Sequence, residues 1–252
     1  MHGRPLPSYH AHELVYRHMK SANVTHWNQC IGLPVIEPGN IRFLEDVLEQ
    51  PWFPQVGRAV EFGCGSAPML RWITKKLGCQ GVGVDVSRTA IDIAKRLTPA
   101  GAPLAFRQSD VIRLPKKDEG RYDLVIDGQC LHCITDPADR VAYWKSAHRV
   151  LKPDGCIVVF TMASPLRRQE FRMRHGKLRN NVTYHPHNDA ANYRGSVSCG
   201  DGYEVPVRMF EHWQSILRSM KSHGLVPMLY RLNRCCKADP LSYISIAGLC
   251  RK

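Results

Sequence analysis

The residues best suited to chemistry in this chain form a glycine turn between two apolar segments. Residues 61–65 read Glu-Phe-Gly-Cys-Gly, between a short apolar run and a stretch of helical character. A turn of this kind, from strand to helix, presents backbone N–H groups to a ligand. Asp85 follows Gly65 by twenty residues and ends a second apolar run, where its carboxylate can accept hydrogen bonds from two ribose hydroxyls. Together these residues predict a site for an adenosine-containing cofactor.

Two further acids, Asp110 and Asp127, also follow apolar runs. Asp127 opens the segment Asp-Gly-Gln-Cys-Leu-His-Cys at residues 127–133. Ligands of parallel α/β sheets bind outside the carboxyl ends of the strands, so this segment is expected to face the reacting group. Within it, His132 has the ordinary pKa of a general base near neutrality. The alternative is a histidine that only packs or forms structural hydrogen bonds.

The elements that would position these residues alternate regularly between residues 57 and 162. Predicted strands cover 58–62, 81–84, 104–108, 122–126 and 156–162, and predicted helices cover 67–77, 88–97 and 136–151. Ser87 is expected to cap the second of these helices. This alternation predicts a parallel sheet with crossover helices.

The remaining segments are predicted to surround that core as one 252-residue domain. Residues 1–56 are expected to form a helical cover, with helices over about 10–28 and 40–49; the first repeats Leu14, Val15, His18 and Met19 at helical spacing. The alternation of strands and helices stops at residues 163–206, and this segment is predicted to be an irregular lid. A helix over 207–223 then precedes strands 225–232 and 241–250. These two strands lack a crossover helix and are expected to pair antiparallel.

Taken in order, these motifs resemble the class I S-adenosylmethionine-dependent methyltransferases, over roughly residues 59–249. Residues 61–67 resemble the family's acidic glycine-rich loop, and Asp85 stands where the family has its ribose-binding acid. Ser109-Asp110-Val111 resembles the site that meets the adenine amino group. Residues 123–132 resemble the fourth strand and the segment facing the transferred methyl. Arg-Val-Leu-Lys-Pro-Asp-Gly at 149–155 is close to the family's turn before strand five.

The resemblance implies an α/β fold: a three-layer, Rossmann-like sheet of seven strands, five parallel plus a C-terminal antiparallel hairpin, with helices on both faces. It also implies S-adenosylmethionine as cofactor and His132 as the candidate catalytic residue. The implied cofactor-binding residues are Glu61, Gly63, Cys64, Gly65, Asp85, Val86, Asp110, Val111, Asp127 and Gly128. One departure is Ala67 in place of the third glycine. Pro68, at the last small position of the nicotinamide fingerprint, disfavours a dehydrogenase.

The predicted lid is where such a fold would build its acceptor pocket. It is rich in cations, namely Arg167, Arg168, Arg172, Arg174, Lys177, Arg179 and Arg194, against the acids Glu170, Asp189, Asp201 and Glu204. Arginine binds carboxylate or phosphate bidentately, which favours an anionic acceptor. The alternative is a solvated lid held by salt bridges.

Tyr184 and the sequence His185-Pro186-His187 offer a base or an incomplete metal site. Trp27 is expected either to close over the cofactor or simply to pack, and Cys235-Cys236 is a weak thiol motif.

Composition narrows the class of protein further. The net charge of +13 suits an anionic acceptor or a nucleic acid. The ten cysteines include no matched C-x2-C pairs, so free thiols without a metal site are expected, with Cys64, Cys79, Cys156 and Cys250 buried. No apolar run approaches the roughly 20 residues of a membrane span. The start of the chain does not resemble a secretory signal, so a cytoplasmic protein without a membrane partner is expected.

Three functions stay open from sequence. The first is methyl transfer to an oxygen, nitrogen or carbon atom of a small molecule, with an anionic acceptor as one alternative. The second is methylation of RNA or protein, although the segment at Asp127 lacks the D/N-P-P-Y and Pro-Cys motifs suited to bases. The third is a regulatory scaffold that binds the cofactor without catalysis.

Overall fold

The structure is a computed structural model, and it describes residues 5–167, 171–173, 176–187, 193–199, 202–234 and 242–252. Six helices and twelve strands are assigned within these ranges. The helices are α1 (His12–Ser21), α2 (Pro38–Leu48), α3 (Pro68–Leu77), α4 (Arg88–Arg96), α5 (Pro137–Val150) and α6 (Trp213–Ser222). The strands are β1 (Arg58–Phe62), β2 (Gln80–Asp85), β3 (Leu104–Gln108), β4 (Tyr122–Gly128), β5 (Leu151–Ala163), β6 (Phe171–Met173), β7 (Gly176–Arg179), β8 (Val182–His187), β9 (Val197–Cys199), β10 (Gly202–Met209), β11 (Leu225–Arg234) and β12 (Ser242–Cys250).

Seven strands form the central sheet in the order β11-β12-β5-β4-β1-β2-β3. Strands β1 to β5 run parallel to one another, whereas β12 pairs antiparallel with both β5 and β11. The predicted sheet of five parallel strands and a C-terminal hairpin is therefore confirmed. Residues Ala59 to Phe62 of β1 are buried. This burial is expected for a strand inside the sheet that is covered on both faces.

Two hydrophobic cores flank the central sheet. One is built around Trp144 and Tyr143 of α5, and the other around Leu70 and Ile73 of α3. Their fully buried side chains alternate between the two faces of each strand, as Val60 and Phe62 face one core and Ala59 faces the other. The predicted cap of α4 is confirmed, because the Ser87 hydroxyl accepts a hydrogen bond from the Ala90 N–H.

The N-terminal cover differs from its prediction. Instead of one helix over 10–28, a 3-10 turn (Ser8–Ala11) leads into α1, and a second 3-10 turn spans Trp27–Ile31. Of the residues noted at helical spacing, Leu14, Val15 and His18 are exposed, whereas Met19 is buried. The buried face is Tyr16 and Met19, which pack on α4 in a small core of their own.

The segment predicted as an irregular lid contains ordered strands. Strands β6 to β10 form a second, antiparallel sheet in the order β6-β7-β8-β10-β9, which we call the lid sheet. The predicted helix over 207–223 was wrong at its start, because Val207 and Met209 belong to β10 and α6 begins only at Trp213. Strand β10 is fixed by its pairing with β8, a long-range contact that local spacing does not reveal.

Candidate functional site

A cleft opens at the carboxyl ends of β1, β2, β3 and β4, and about 1170 Å³ of space lies within it, including open solvent at its mouth. The core, the cover and the lid sheet all contribute to its walls. Of the predicted site residues, the following line it: Glu61, Gly63, Cys64, Gly65, Asp85, Val86, Asp110, Val111, Gly128 and His132.

The glycine turn is shaped by two backbone conformations that favour glycine. Gly63 and Gly65 have φ angles of +60° and +53°, in the left-handed region. A Cβ on Gly63 would lie 2.7 Å from the Cβ of Cys130, and a Cβ on Gly65 would collide with the Tyr16 hydroxyl. Both positions therefore bring backbone close to the cleft with no room for a side chain.

Glu61 lies under this turn, almost fully buried. Its Oε2 accepts a hydrogen bond of 3.1 Å from the Leu70 N–H. Burial raises the pKa of Glu61 well above its ordinary value, although the Leu70 N–H and the Arg71 cation act in the opposite direction. The buried carboxylate is thus a place where a positively charged ligand would be stabilised.

Asp85 ends β2 and joins two loops that face the cleft. Its Oδ2 accepts from the Gly65 N–H at 2.9 Å, and its Oδ1 accepts from the Ser87 N–H at 2.8 Å. Each carboxylate oxygen has a second lone pair. The side chain can therefore hold the loops in place and still accept two hydroxyl hydrogens.

Asp110, at the end of β3, has a partner that the sequence did not reveal. Its Oδ2 accepts from the Tyr9 hydroxyl at 3.0 Å, and its Oδ1 accepts from the Ile112 N–H at 3.2 Å. Burial, followed by the charge of Asp110, raises the pKa of Tyr9, so the phenol remains a donor. The cover is thereby hydrogen-bonded to the acid that was predicted to meet an adenine ring.

Asp127 does not line the cleft, contrary to the expectation of cofactor contact. The side chain is fully buried and accepts from the N–H groups of Gln129, Cys130 and Leu131 and from the Tyr143 hydroxyl. Burial raises its pKa to about 6, against the opposing effect of these donors. A carboxylate with four protein donors is satisfied, so Asp127 shapes the segment after β4 from behind.

The segment after β4 is also held from the other side by Arg140, a buried residue of α5. Its guanidinium donates to the carbonyl oxygens of Leu131 and Ile134, at 2.7 and 3.0 Å, and pairs with Glu211 at 2.6 Å. Glu211 lies just after the lid sheet. The segment that faces the cleft is therefore fixed to both the core and the lid.

His132 lies in the cleft wall with its ring already engaged. Its Nδ1 accepts a long hydrogen bond of 3.4 Å from the Met162 N–H and lies 3.5 Å from the Thr161 hydroxyl. The ring also interacts with the neighbouring Cys133 thiol; burial opposes ionisation of this thiol, but His132 and Arg208 outweigh it and lower its pKa. The catalytic role of His132 stays a prediction.

The cover contributes several residues that the sequence analysis missed. Tyr9, His12 and Tyr16 lie on one side of the N-terminal segment and line the cleft, as does Trp27. The Trp27 ring packs against the rings of His12 and Tyr16, with centroid distances of 5.5 and 5.8 Å. The spacing of three and then four residues between Tyr9, His12 and Tyr16 is the signal in the sequence that places these side chains on one side of the segment.

Most described lid arginines are engaged in ion pairs. Arg179 pairs with Glu204 at 3.1 Å, and Arg194 pairs with Asp139 at 2.8 Å and with Asp136 at 3.6 Å. The side chains of Arg168, Glu170, Arg172, Arg174, Lys177, His187, Asp189 and Asp201, and the pair Cys235-Cys236, lie outside the described residues. Tyr184 and His185 lie on β8, which pairs with β10.

A different lid arginine, Arg208 of β10, lines the cleft. Its guanidinium carbon lies 5.7 Å from the centre of the Trp27 ring, and its buried Nε has no hydrogen-bond partner. Among the described side chains, no carboxylate pairs with it. Arg208 therefore places in the cleft a cation that forms no direct ion pair with a described carboxylate.

The described residues contain no cluster of three or more His, Cys, Asp or Glu side chains placed to hold a metal ion. Among the described residues, Cys64, Cys79, Cys156 and Cys250 are free thiols, and all four are buried as predicted. In the same ranges, no helix combines the length and apolar character needed to cross a bilayer.

These features fit an adenosine cofactor that carries a charged amino-acid part. The glycine turn allows close approach, Asp85 has free lone pairs for hydroxyls, and Glu61 is a buried anion for a cation. The order of the strands in the sheet is that of the Rossmann-like fold found in S-adenosylmethionine-dependent methyltransferase structures. Residues 59–155 match a family model described as "Methyltransferase domain".

Among curated relatives, the ubiquinone biosynthesis O-methyltransferase of Alkalilimnicola ehrlichii is 28% identical over 106 residues, which cover 42% of this chain and 41% of that protein. The demethylmenaquinone methyltransferase of Staphylococcus saprophyticus is 31% identical over 110 residues, covering 43% and 46%. The match thus spans less than half the length of these relatives.

A similar fold occurs in the crystal structure of Burkholderia thailandensis 1,6-didemethyltoxoflavin-N1-methyltransferase, which contains 1,6-didemethyltoxoflavin and S-adenosylhomocysteine. The TM-score is 0.55 at 16% identity, over 85% of this chain and 78% of that one. At this identity the likeness establishes the fold. It agrees with S-adenosylmethionine as the cofactor of the class.

Proposed function

We propose that the protein transfers a methyl group from S-adenosylmethionine to an oxygen, nitrogen or carbon atom of a small molecule. The observation that carries this proposal is the shared cleft, in which the glycine turn, Asp85 and Asp110 lie opposite the segment that contains His132. The donor is already activated as a sulfonium. The protein therefore has to align donor and acceptor and exclude water.

The residues proposed to hold the cofactor fall into three groups. Glu61, with Gly63, Cys64 and Gly65, would hold the charged amino-acid part. Asp85 and Val86 would contact the ribose, and Asp110 and Val111 the adenine. Gly128 would border the methyl-bearing end, because a side chain there would meet the Glu61 carboxylate oxygen at 2.8 Å.

The cover and the lid favour a small acceptor over a macromolecule. Tyr16, His26 and Trp27 lie over the glycine turn, with the His26 Nδ1 only 2.8 Å from the Ser66 hydroxyl. A polymer would need an open approach to the sheet edge, whereas a small molecule can enter a covered cleft. The relatives named for quinone biosynthesis act on small molecules by name, which supports the same proposal.

The acceptor is further proposed to carry an acidic group, which Arg208 would bind. Its guanidinium lies in the cleft without a carboxylate partner, stacked on Trp27. An arginine in this setting binds a carboxylate or phosphate through paired hydrogen bonds. The net charge of +13 supports such an acceptor, and it is also the feature that favours RNA as the second candidate.

Labelled S-adenosylmethionine, with tritium in its methyl group, tests the proposal. The protein is incubated with it and a cell extract, and the label is counted in the ultrafiltrate, the RNA and the protein. Label in acidic compounds of the ultrafiltrate supports the proposal. Label in RNA or protein would replace it with the second candidate, and binding without any transfer would favour the scaffold.

A variant pair tests the acidic group separately. Arg208→Gln is expected to reduce labelling of the ultrafiltrate at least tenfold while S-adenosylhomocysteine still binds. The matched control is Arg218→Gln, an exposed α6 arginine that contacts only Ser215 among the described side chains. Equal labelling by both variants would contradict the role of Arg208.

A further inference from the structure

We propose that His12, rather than His132, is the group that accepts a proton from the methyl acceptor. The geometry points to it because a backbone carbonyl fixes its Nδ1, whereas within the described residues no hydrogen bond is formed to its Nε2, and His12 lines the cleft. This inference rests on the proposed function. It concerns a residue that the sequence motifs do not single out.

The tautomer of His12 follows from its hydrogen bond. The Nδ1 lies 2.9 Å from the carbonyl oxygen of Tyr9, the residue three positions earlier. A carbonyl oxygen only accepts, so the proton of the neutral ring must lie on Nδ1. Nε2 then carries the free lone pair, and in the described part of the structure no donor contacts it. His12 lines the same cleft as the glycine turn.

His132 has the opposite arrangement. Its Nδ1 faces the N–H of Met162, a group that only donates, at 3.4 Å. The neutral ring of His132 therefore carries its proton on Nε2, and its lone pair is occupied by the backbone. A ring in this state can donate to the Cys133 thiol or to a ligand, but it lacks a free nitrogen to receive a proton.

The surroundings of His12 keep its ring neutral. Burial is the main effect that lowers its pKa; the Arg208 charge lowers it further, and the Tyr9 carbonyl and the Asp85 carboxylate oppose the change. The groups that act on the ring are thus the Tyr9 carbonyl on its own segment, Asp85 on β2 and Arg208 on β10. The Trp27 ring contacts it in a T-shaped arrangement, at 61° between the ring planes.

The proposed step conserves atoms and charge. The acceptor, written X–H, gives its proton to Nε2 of His12, and the electron pair left on X forms the new bond to the methyl carbon. The electrons of the breaking carbon–sulfur bond stay on sulfur, which leaves as the neutral thioether. The imidazolium of His12 then returns its proton to water.

The proton position can be measured directly on the full chain by NMR of nitrogen-15-labelled histidine, with the His12 signals assigned by their loss in His12→Asn. We expect Nδ1 to show the shift of a protonated nitrogen and Nε2 that of an unprotonated one at neutral pH, with a midpoint below the ordinary histidine value of about 6.5. A proton on Nε2, or a midpoint at or above that ordinary value, would overturn the proposal.

Calorimetric titration with S-adenosylhomocysteine separates a base from a cofactor ligand. His12→Asn is expected to bind it within about twofold of the unaltered protein, as is the matched control His18→Asn on the exposed side of α1. A loss of tenfold or more in His12→Asn alone would assign His12 to cofactor binding and overturn the proposal. If the unaltered protein does not bind the compound, the proposed function fails, while the tautomer result still decides the state of His12.

Discussion

At the scale of single residues, the acids of the cleft serve the fold and the site at once. Asp85 binds two backbone N–H groups and keeps lone pairs for a ligand, whereas Asp127 uses its lone pairs on the protein alone. Both are buried and both end strands. Asp85 and Asp127 differ in the number of protein hydrogen-bond donors that they bind, and this number depends on the loop that follows each strand.

Substitution of Asp85 should weaken cofactor binding. Asp85→Ala removes the acceptor for two ribose hydroxyls, so we expect affinity for S-adenosylhomocysteine to fall by about 1–3 kcal/mol. The measurement is calorimetric titration. Asp92→Ala is the matched control, because this α4 acid is exposed and pairs only with Arg88 among the described side chains. Equal affinity of both variants would show that the end of β2 does not hold the ribose.

Glu61 should couple cofactor binding to pH. Burial raises its pKa, so the carboxyl binds protons more readily than a free one. A cationic ligand favours the ionised form; binding should therefore release protons, and affinity should rise with pH through the pKa of Glu61.

Calorimetric titration with S-adenosylmethionine in two buffers of different ionisation enthalpy measures that proton release directly. In Glu61→Gln, which cannot ionise, the buffer dependence and the rise of affinity with pH should both disappear. Proton uptake by the unaltered protein, or an unchanged buffer dependence in the variant, would show that Glu61 does not face the cation.

The residue scale also shows what sequence can predict about this site. Glu61, Asp85 and Asp110 each follow an apolar run, so their place at the carboxyl edge of the sheet follows from the strands themselves. Tyr9, His12 and Arg208 reach the same cleft from elements joined to it by tertiary packing alone. Their positions depend on long-range contacts, which local spacing does not encode.

At the scale of elements, the cover is held on the core by one charged residue of α1. Glu13 accepts hydrogen bonds from the Ser87 hydroxyl at 2.6 Å, from the Thr89 hydroxyl at 2.7 Å and from the Thr89 N–H at 3.2 Å. Beside it, Tyr16 and Met19 pack on Ala90 and Ile93 of α4. The N-terminus of α4 thus acts as the anchor for the helix that covers the glycine turn.

Loss of the Glu13 charge should loosen the cover. Burial alone would raise the pKa of Glu13, but the hydrogen bonds outweigh it and lower the pKa to about 2. Because the pKa is lower in the folded state, this stabilisation is present above the unfolded pKa near 4.5 and is lost as pH falls toward 2.

Glu13→Gln is therefore expected to lower the free energy of unfolding by about 1–2 kcal/mol at neutral pH and to leave little difference at strongly acid pH. Chemical denaturation at several pH values measures this, and amide exchange in residues 12–21 reports the cover directly. The control is Glu45→Gln, a half-exposed α2 acid that lies 4.0 Å from Lys76. A constant difference at every pH would contradict the charge as the cause.

The elements differ in how well their sequences predict them. The strands and helices between residues 58 and 150 have apolar runs of their own and match their predictions closely. The lid sheet does not, because its strands bury few apolar side chains, such as Leu178 and Val205. Val207 and Met209 have neighbours at helical spacing, yet pairing with β8 makes them part of a strand.

At the scale of the whole molecule, three parts of the chain meet at one cleft. The core supplies the strand ends, the cover adds Tyr9, His12, Tyr16 and Trp27, and the lid adds Arg208. The cover contacts the core at three places. Tyr9 donates a hydrogen bond to Asp110, Glu13 binds the start of α4, and His26 lies beside Ser66 of the glycine turn. A ligand held in the cleft would therefore bridge all three parts.

Calorimetric titration of the purified protein with S-adenosylmethionine, S-adenosylhomocysteine and NAD tests this account most directly. The account predicts micromolar binding of the two sulfur compounds, no binding of NAD, and a rise in melting temperature when either sulfur compound is present. Failure of the folded protein to bind either sulfur compound, or preferential binding of NAD, would contradict the assignment of the cleft to a methyl donor.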